Sequence, residues 1–209
     1  MGIMRKYLNN TRKPVGSLGK MMVSGMNKGH AKVSDWGMTN LPELKPSLVA
    51  DLGCGGGRNV GELLKRYPKA KVMGVDYSDI SVAKSKKENE KEIQSGRCRI
   101  MQGDVSDLLL GSDKYDLATA FETIYFWPGP VKSFKEVYRI LHNGGYFMIT
   151  NETDGYNDKD RKWEEMIDHM KIYSEDEICD HLKEAGFKEV QIFRKKENNW
   201  ICFVAKKIS

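Results

Sequence analysis

A glycine-rich segment between an apolar stretch and a helical pattern constrains the fold more than any other part of the sequence. Apolar Val49–Leu52 runs into the loop DLGCGGGRN, and residues 60–67 then repeat apolar side chains at helical spacing until Pro68. This order predicts a buried strand, a tight loop and an amphipathic helix. Glycine suits such a loop because it turns sharply and lets the backbone approach a ligand closely.

The remaining pattern alternates short apolar segments with amphipathic ones. Five strands alternating with helices predict a parallel sheet with helices on both faces, and two alternating segments at the end predict an antiparallel hairpin. The predicted strands are Val49–Leu52, Val72–Val75, Cys98–Gln102, Tyr115–Phe121 and Tyr146–Thr150, and the hairpin pairs Glu189–Arg194 with Trp200–Ala205. Further helices are predicted from a Ser78-Asp79 cap to about Gln94, over Val131–Leu141, and over Glu175–Ala185 between Ser174 and Gly186.

Size and composition indicate one globular domain. The chain has 209 residues, 40% hydrophobic and 30% charged, and no apolar run reaches the roughly 18–20 residues that span a bilayer. The basic N-terminus is not followed by the apolar region of a secretion signal. The four scattered cysteines, Cys54, Cys98, Cys179 and Cys202, have no metal-type spacing, so we expect a cytoplasmic protein without a membrane span.

The first 45 residues carry most of the positive charge. They contain eight Lys or Arg against two Asp or Glu. We therefore expect a basic helical extension or lid over residues 1–45, ahead of a domain over residues 46–209. Met21, Met22 and Met26 can form an adaptable apolar face over a substrate, or simply pack. His30 is a candidate catalytic base, and the basic charge can contact nucleic acid, anionic lipid or an acidic substrate, or lie in solvent.

The glycine spacing excludes two common nucleotide sites. Gly53, Gly55 and Gly57 follow Asp51 as DxGxGxG, whereas a GxGxxG dinucleotide loop needs glycine where Arg58 stands. A phosphate P-loop would need Gly-Lys-Ser/Thr, which is also absent. An NAD(P)-dependent dehydrogenase is therefore disfavoured, as it is by the terminal hairpin.

Two acidic residues end neighbouring predicted strands. Asp76 follows the second strand and can accept both ribose hydroxyls of a nucleoside. Asp104, in GDVSDL after the third strand, can accept the exocyclic amino group of adenine. Together with the glycine loop, they predict a nucleoside site at this edge of the sheet.

The motifs VADLGCGGGRNV, GVDYS, GDV and YSEDEICDHLKEAGF, followed by a terminal hairpin, resemble the class I S-adenosylmethionine (SAM)-dependent methyltransferases. The resemblance covers about residues 47–206 and is to the small-molecule type, similar to ubiquinone/menaquinone-biosynthesis methyltransferases. It implies an α/β, Rossmann-like, seven-stranded, mostly parallel sheet in the order 3-2-1-4-5-7-6, with the last strand antiparallel. It also implies SAM as cofactor and S-adenosylhomocysteine (SAH) as product.

The resemblance also assigns roles to residues. Glycines of the loop border the methionine and ribose parts of SAM, and Asp51 helps to hold the loop and the methionine amino group. Asp76 binds the ribose hydroxyls, Asp104 the adenine amino group, and Val105 flanks the ring. The implied cofactor-binding residues are Asp51, Gly53, Cys54, Gly55, Gly57, Asp76, Tyr77, Asp104, Val105 and Phe121.

The end of the fourth strand, FETIYFWP, is the expected place of methyl transfer. Glu122 can act as a base or contact the amino-acid part of the cofactor. Tyr125 and Trp127 can form an apolar wall that excludes water, or can anchor the loop in the core. Glu122, Tyr125 and His30 are the candidate catalytic residues. The other expected roof is the segment Glu152–Tyr173 after the fifth strand, which contains Tyr156, Trp163, Met166 and Tyr173.

The sequence leaves the methyl acceptor open. It lacks the Asn/Asp-Pro-Pro-Tyr motif of nucleobase or glutamine amino methylation, the Lys-Asp-Lys-Glu set and a catechol-type metal cluster. We therefore expect a small-molecule acceptor, methylated at O, N, S or C, and no metal. An RNA or protein methyltransferase that docks through the basic arm, and a SAM-binding partner subunit without activity, are the alternatives. Nucleic acid is not the expected partner, and monomer and homodimer both remain open.

Overall fold

The computed structural model describes residues 29–208, together with Gly16 and Gly25. In residues 29–208 a seven-stranded sheet is flanked by helices. The strands are β1 (Leu48–Leu52), β2 (Lys71–Asp76), β3 (Cys98–Gln102), β4 (Tyr115–Phe121), β5 (Leu141–Asn151), β6 (Glu189–Lys195) and β7 (Trp200–Lys206). The helices are α1 (Ala31–Thr39), α2 (Arg58–Arg66), α3 (Asp79–Glu88), α4 (Glu90–Gln94), α5 (Pro130–Ile140), α6 (Asp158–Met166) and α7 (Glu175–Glu184), with 3₁₀ turns at Ile124–Phe126 and Lys196–Asn198.

The strand order confirms the predicted fold class. The sheet runs β3-β2-β1-β4-β5-β7-β6. Strands β1 to β5 pair in parallel, whereas β7 pairs antiparallel with both β5 and β6. The order reverses between β1 and β4, and open α/β sheets bind ligands in the crevice at such a reversal.

Two apolar layers hold the helices against the sheet. On one face Phe134 of α5 and Leu182 of α7 pack in the same core as Phe147 of β5. On the other, Leu63 of α2 and Met38 of α1 pack in a second core. Each fully buried apolar side chain contributes about 1.5–3 kcal/mol relative to an exposed one. These layers fix the strand ends that carry the polar residues.

The N-terminal extension is partly integrated into this packing. Within α1, Val33 and Met38 are buried, and the Trp36 ring lies 5.9 Å from that of Trp200. The predicted lid methionines, Met21, Met22 and Met26, lie outside the described residues. The division of the chain near residue 45 therefore remains a prediction.

Local capping signals are confirmed. The Ser174 hydroxyl accepts the N–H of Glu177 at 3.3 Å, while the Glu177 carboxylate accepts the N–H of Ser174 at 2.9 Å. Ser78 caps α3 by accepting the N–H of Ser81 at 3.3 Å. Such caps satisfy N–H groups that have no partner within the helix.

Two predicted boundaries were wrong. The charged helix after Ser78 breaks at Asn89, whose side-chain amide donates to the carbonyl of Gly57 at 2.9 Å and so ties the helix to the glycine loop. The fifth strand begins at Leu141 rather than Tyr146. The Asn-Gly-Gly segment that suggested a turn lies within the strand, where the Gly144 N–H donates to the Lys207 carbonyl at 2.8 Å.

Candidate active site

The glycine loop passes from β1 to α2 through left-handed glycines. The backbone angle φ is +76° at Gly53, +52° at Gly55 and +84° at Gly57, a region that residues with a Cβ rarely adopt. The N–H groups of Gly53 and Cys54 both donate to the carbonyl of Val75, at 2.8 and 3.0 Å. The loop is therefore fastened to β2 beside the crevice.

A cavity of about 620 Å³ opens at this edge of the sheet, within the roughly 300–1,000 Å³ typical of ligand sites. The glycine loop, the ends of β2 to β5, α1 and α6 contribute to its lining. All three candidate catalytic residues and eight of the implied cofactor residues line it. These residues are His30, Glu122, Tyr125, Gly53, Cys54, Gly55, Asp76, Tyr77, Asp104, Val105 and Phe121.

Asp51 and Gly57 lie outside the lining of this cavity. A Cβ on Gly57 would lie 2.8 Å from the Cα of Ser85, so this glycine permits close packing with α3. Asp51 is 1% exposed; its Oδ1 accepts a hydrogen bond from the Thr119 hydroxyl at 2.8 Å, and no residue that the structure describes bonds its Oδ2. Burial raises the pKa of Asp51 to about 7, against the Thr119 hydrogen bond and aided by the charge of Asp76.

Asp76 has two backbone partners at the end of β2. Its Oδ2 accepts the N–H of Gly55 and its Oδ1 accepts the N–H of Ser78, both at 2.9 Å. Burial raises the pKa of Asp76, while these hydrogen bonds act in the opposite direction. The carboxylate thus connects the glycine loop to the start of α3.

A third acidic group and apolar residues complete the half of the cavity that lies beside the glycine loop. Asp104 is exposed at the rim, and its Oδ1 accepts the N–H of Ser106 at 2.8 Å. Val105 and Phe121 are buried apolar residues of the lining, and Tyr77 is 37% exposed. A flat apolar ring with an edge donor fits between such groups.

The other half of the cavity contains Glu122, which directly follows β4. Its φ is +54°, a strained value for a residue other than glycine, and strain of this kind clusters at functional sites. The Tyr125 hydroxyl donates to Glu122 Oε2 at 3.5 Å. Glu122 Oε1 is buried and has no hydrogen-bond partner within the described part of the chain. This oxygen is therefore available to a bound ligand.

His30 and Glu152 lie beside Glu122. His30 Nε2 is 3.7 Å from Glu152 Oε1, and single ligand atoms of all three side chains lie within 4.8 Å of one another. Glu152 was predicted only as the first residue of the roof segment; it directly follows β5, as Glu122 directly follows the neighbouring strand β4. Histidine and carboxylate are ligand types that divalent cations accept. The grouping therefore leaves the expectation of a metal-free site untested.

Aromatic residues enclose the same half. Trp127 lines the cavity and also stacks on Phe147, with ring centroids 6.2 Å apart, a position compatible with either predicted role. Of the predicted roof residues, Trp163 lines the cavity, whereas Tyr156 and Met166 are exposed outside it and Tyr173 is buried in the core. The lining also includes residues of the predicted lid, strand-end and roof segments that were not singled out, namely Ser34, Thr123, Thr153, Asp160, Ile167, Met170 and Ile172.

The strand order and the site are typical of one class of proteins, and comparison with known proteins supports the same class. The methyltransferase domain family matches residues 45–199. The chain belongs to this family, the class I SAM-dependent methyltransferases. None of the helices in residues 29–208 combines the length and apolarity needed to cross a bilayer.

Individual relatives agree with this assignment. The rice chloroplastic 2-methyl-6-phytyl-1,4-hydroquinone methyltransferase 2 is 32% identical over 70% of this chain and 40% of its own length. The chain thus spans about two fifths of the hydroquinone methyltransferases that it matches. The uncharacterized methyltransferase YdaC of Bacillus subtilis is 24% identical over 89% of this chain and 98% of its own.

A solved structure shares the fold. It comes from the complex between the Haloferax volcanii Trm112 methyltransferase activator and a methyltransferase. The TM-score is 0.80 at 20% identity, and the match covers 91% of this chain and 94% of that one.

Proposed function

We propose that the protein transfers the methyl group of SAM to a small-molecule nucleophile held in the cavity, with SAH as product. The observation that carries this proposal is the continuity of the cavity. One end is lined by Asp76 and Asp104, and the other by Glu122, Tyr125 and Trp163. An acceptor at the second end would meet a cofactor bound at the first.

The residues present fit SAM. A Cβ on Gly55 would meet no protein atom within 4 Å, so the loop leaves open space beside the cavity. Asp76 would accept the ribose hydroxyls, Asp104 the adenine amino group, and Val105 would flank the ring. Asp51, with its unpartnered Oδ2 behind the loop, would balance the positive methionine amino group.

The chemistry divides between cofactor and protein. SAM supplies an activated methyl group on a sulfonium leaving group. Tyr125, Trp163 and Ile172 would exclude water and orient the acceptor in line with that group. Glu122 Oε1 would accept a proton from the acceptor where one must be lost.

The test is direct. We expect calorimetry to show micromolar binding of SAM and SAH and none of NAD. Incubation with methyl-labelled SAM and a metabolite extract, followed by mass spectrometry, should reveal a labelled small molecule. NAD binding without SAM binding would contradict the proposal.

The second candidate is a macromolecular acceptor or a partner subunit. The basic balance of residues 1–45 and the fold shared with a chain from the Trm112 complex favour it. Binding of RNA would weaken steeply with salt. We expect the protein to cause no electrophoretic mobility shift of an RNA probe at about 150 mM salt. A sequence-selective shift that disappears when residues 1–28 are removed would favour this candidate instead.

The state of the cysteines supports a proposal for the cellular location. All four cysteines are free, and Cys54, Cys98 and Cys202 are buried. Free thiols suit a reducing compartment. We therefore place the protein in the cytoplasm, which fractionation of the native host would check.

A further inference from the structure

The acceptor half of the cavity is strongly acidic. Glu122, Glu152 and Asp160 line it together with His30, and no lysine is among the described residues that line the cavity. The one arginine among these residues, Arg58, is paired with Asp35 at 2.6 Å, and its Nη1 lies 3.5 Å from the carbonyl oxygen of Ala31. Among the described side chains, a carboxylate or phosphate beside Glu122 and Glu152 would meet mainly like charge. Anionic acceptors are therefore disfavoured.

One carboxylate oxygen of Glu122 has no hydrogen-bond partner among the described residues. A buried carboxylate oxygen without a donor is costly, and Oε1 of Glu122 is in this position. Burial raises the pKa of Glu122 well above its ordinary range, and the charge of Glu152 adds to the effect. The backbone N–H of Glu152 and the Tyr125 hydroxyl oppose this rise by donating hydrogen bonds to the Glu122 carboxylate. A bound cation would relieve this destabilisation.

Aromatic rings surround the acidic groups. Tyr125, Phe126 and Trp163 line this half of the cavity, and aromatic faces attract cations, with ammonium groups and tryptophan a favourable pair. A hydroxyl offers one donor, whereas an ammonium group offers up to three. Three carboxylates beside aromatic rings therefore suit an ammonium group better than a hydroxyl group.

We infer that the acceptor is an amine with an apolar body, whose nitrogen binds between Glu122 and Glu152 and is methylated there. This inference rests on the proposed function. The amine enters as the ammonium ion and gives one proton to Glu122 Oε1. The nitrogen lone pair then forms the bond to the methyl carbon as the carbon–sulfur bond breaks. Sulfur keeps that electron pair and becomes the thioether of SAH, and the methylated nitrogen is left as an ammonium ion.

Matched probes test the acceptor class. Arylalkyl amines such as 2-phenylethylamine are compared with 2-phenylethanol and phenylacetate, each titrated into the protein saturated with SAH. We expect the amines to bind at least tenfold more tightly than the alcohols and the acids not to bind. Methyl-labelled SAM should then yield N-methylated amine by mass spectrometry.

Single substitutions test which carboxylate causes the preference for amines. Glu122→Gln keeps the shape but removes the charge, and should abolish the preference for amine over alcohol while SAM still binds. The Glu152 side chain is 51% exposed, so Glu152→Gln should reduce the preference for amine over alcohol less than Glu122→Gln does. Glu165→Gln, on the exposed surface of α6, is the matched control and should change nothing.

Three results would overturn the inference. The first is that no amine binds, or that the alcohols bind equally well. The second is labelled product from a non-amine alone, which would leave the proposed function intact. The third is that Zn²⁺ or Mn²⁺, titrated alone, binds wild type but not Glu122→Gln and is required for methylation, because the acidic group would then be a metal site. Absence of SAM binding would instead refute the proposed function.

Discussion

The Oδ2 of Asp76 accepts the backbone N–H of Gly55 at 2.9 Å, across the space between β2 and the glycine loop. The same carboxylate is the one that we propose binds the ribose of SAM. One side chain would therefore both shape the loop and bind the ligand. A substitution at this position removes an internal hydrogen bond as well as contacts to the cofactor.

Asp76→Ala should lower the affinity for SAM by tenfold or more. Two charge-assisted hydrogen bonds to the ribose are lost, each worth on the order of 1.5–3 kcal/mol. A small loss of thermal stability should accompany it, because the N–H groups of Gly55 and Ser78 lose their acceptor. Calorimetry and thermal melts measure the two effects. Asp79→Ala, at an exposed position in α3, is the control, and equal affinities for the two variants would place the ribose elsewhere.

Asp104 should discriminate between purines. Wild type should bind SAH more tightly than S-inosylhomocysteine, which lacks the exocyclic amino group. Asp104→Ala should weaken SAH binding and leave S-inosylhomocysteine nearly unchanged, because only the first ligand loses a hydrogen bond. Competition titrations give both affinities. If both ligands weaken equally, Asp104 does not contact the amino group.

Asp51 should make stability depend on pH in a predictable direction. Its pKa is about 7 in the folded protein and about 3.8 when unfolded. Between these values the folded state keeps a proton that the unfolded state loses, so the free energy of unfolding falls as pH rises from about 4 to 7. The difference of about three pKa units corresponds to a loss of roughly 4 kcal/mol in the free energy of unfolding. The Asp51→Asn variant cannot ionise at this position, so its stability should not show this loss.

Denaturation in urea at pH 5 and pH 8 measures this difference for Asp51→Asn and wild type. Asp79→Asn should follow wild type. Parallel pH profiles for wild type and Asp51→Asn would mean that Asp51 ionises normally in the folded state.

Gly37→Ala should test how closely α1 packs on the sheet. An added Cβ would overlap the Thr150 hydroxyl and lie 2.9 Å from the Cβ of Thr150. We expect a loss of about 1–3 kcal/mol of stability, partly recovered by adding Thr150→Ala. Gly29→Ala is the control, since nothing lies within 4 Å of its added Cβ. If both single variants unfold alike, α1 is not docked as described.

The sequence alone determined the features that depend on neighbouring residues. The caps at Ser78 and Ser174, the left-handed glycine loop and the acidic ends of β2 and β3 could all be predicted. Each reflects a preference expressed within a few residues of chain, and the motif resemblance supplied the strand order. The helix break at Asn89 escaped prediction because its cause, a hydrogen bond to Gly57, lies 32 residues away.

Only the tertiary structure decided which groups meet. It placed Asp51 behind the cavity lining and Gly57 against α3, although the family resemblance implied a place for both beside the cofactor. It also brought together His30, Glu122 and Glu152, which come from three distant parts of the chain. Their encounter depends on the adjacency of β4 and β5 and on the packing of the N-terminal segment against the sheet. Such long-range packing is not encoded in the spacing of residues along the chain.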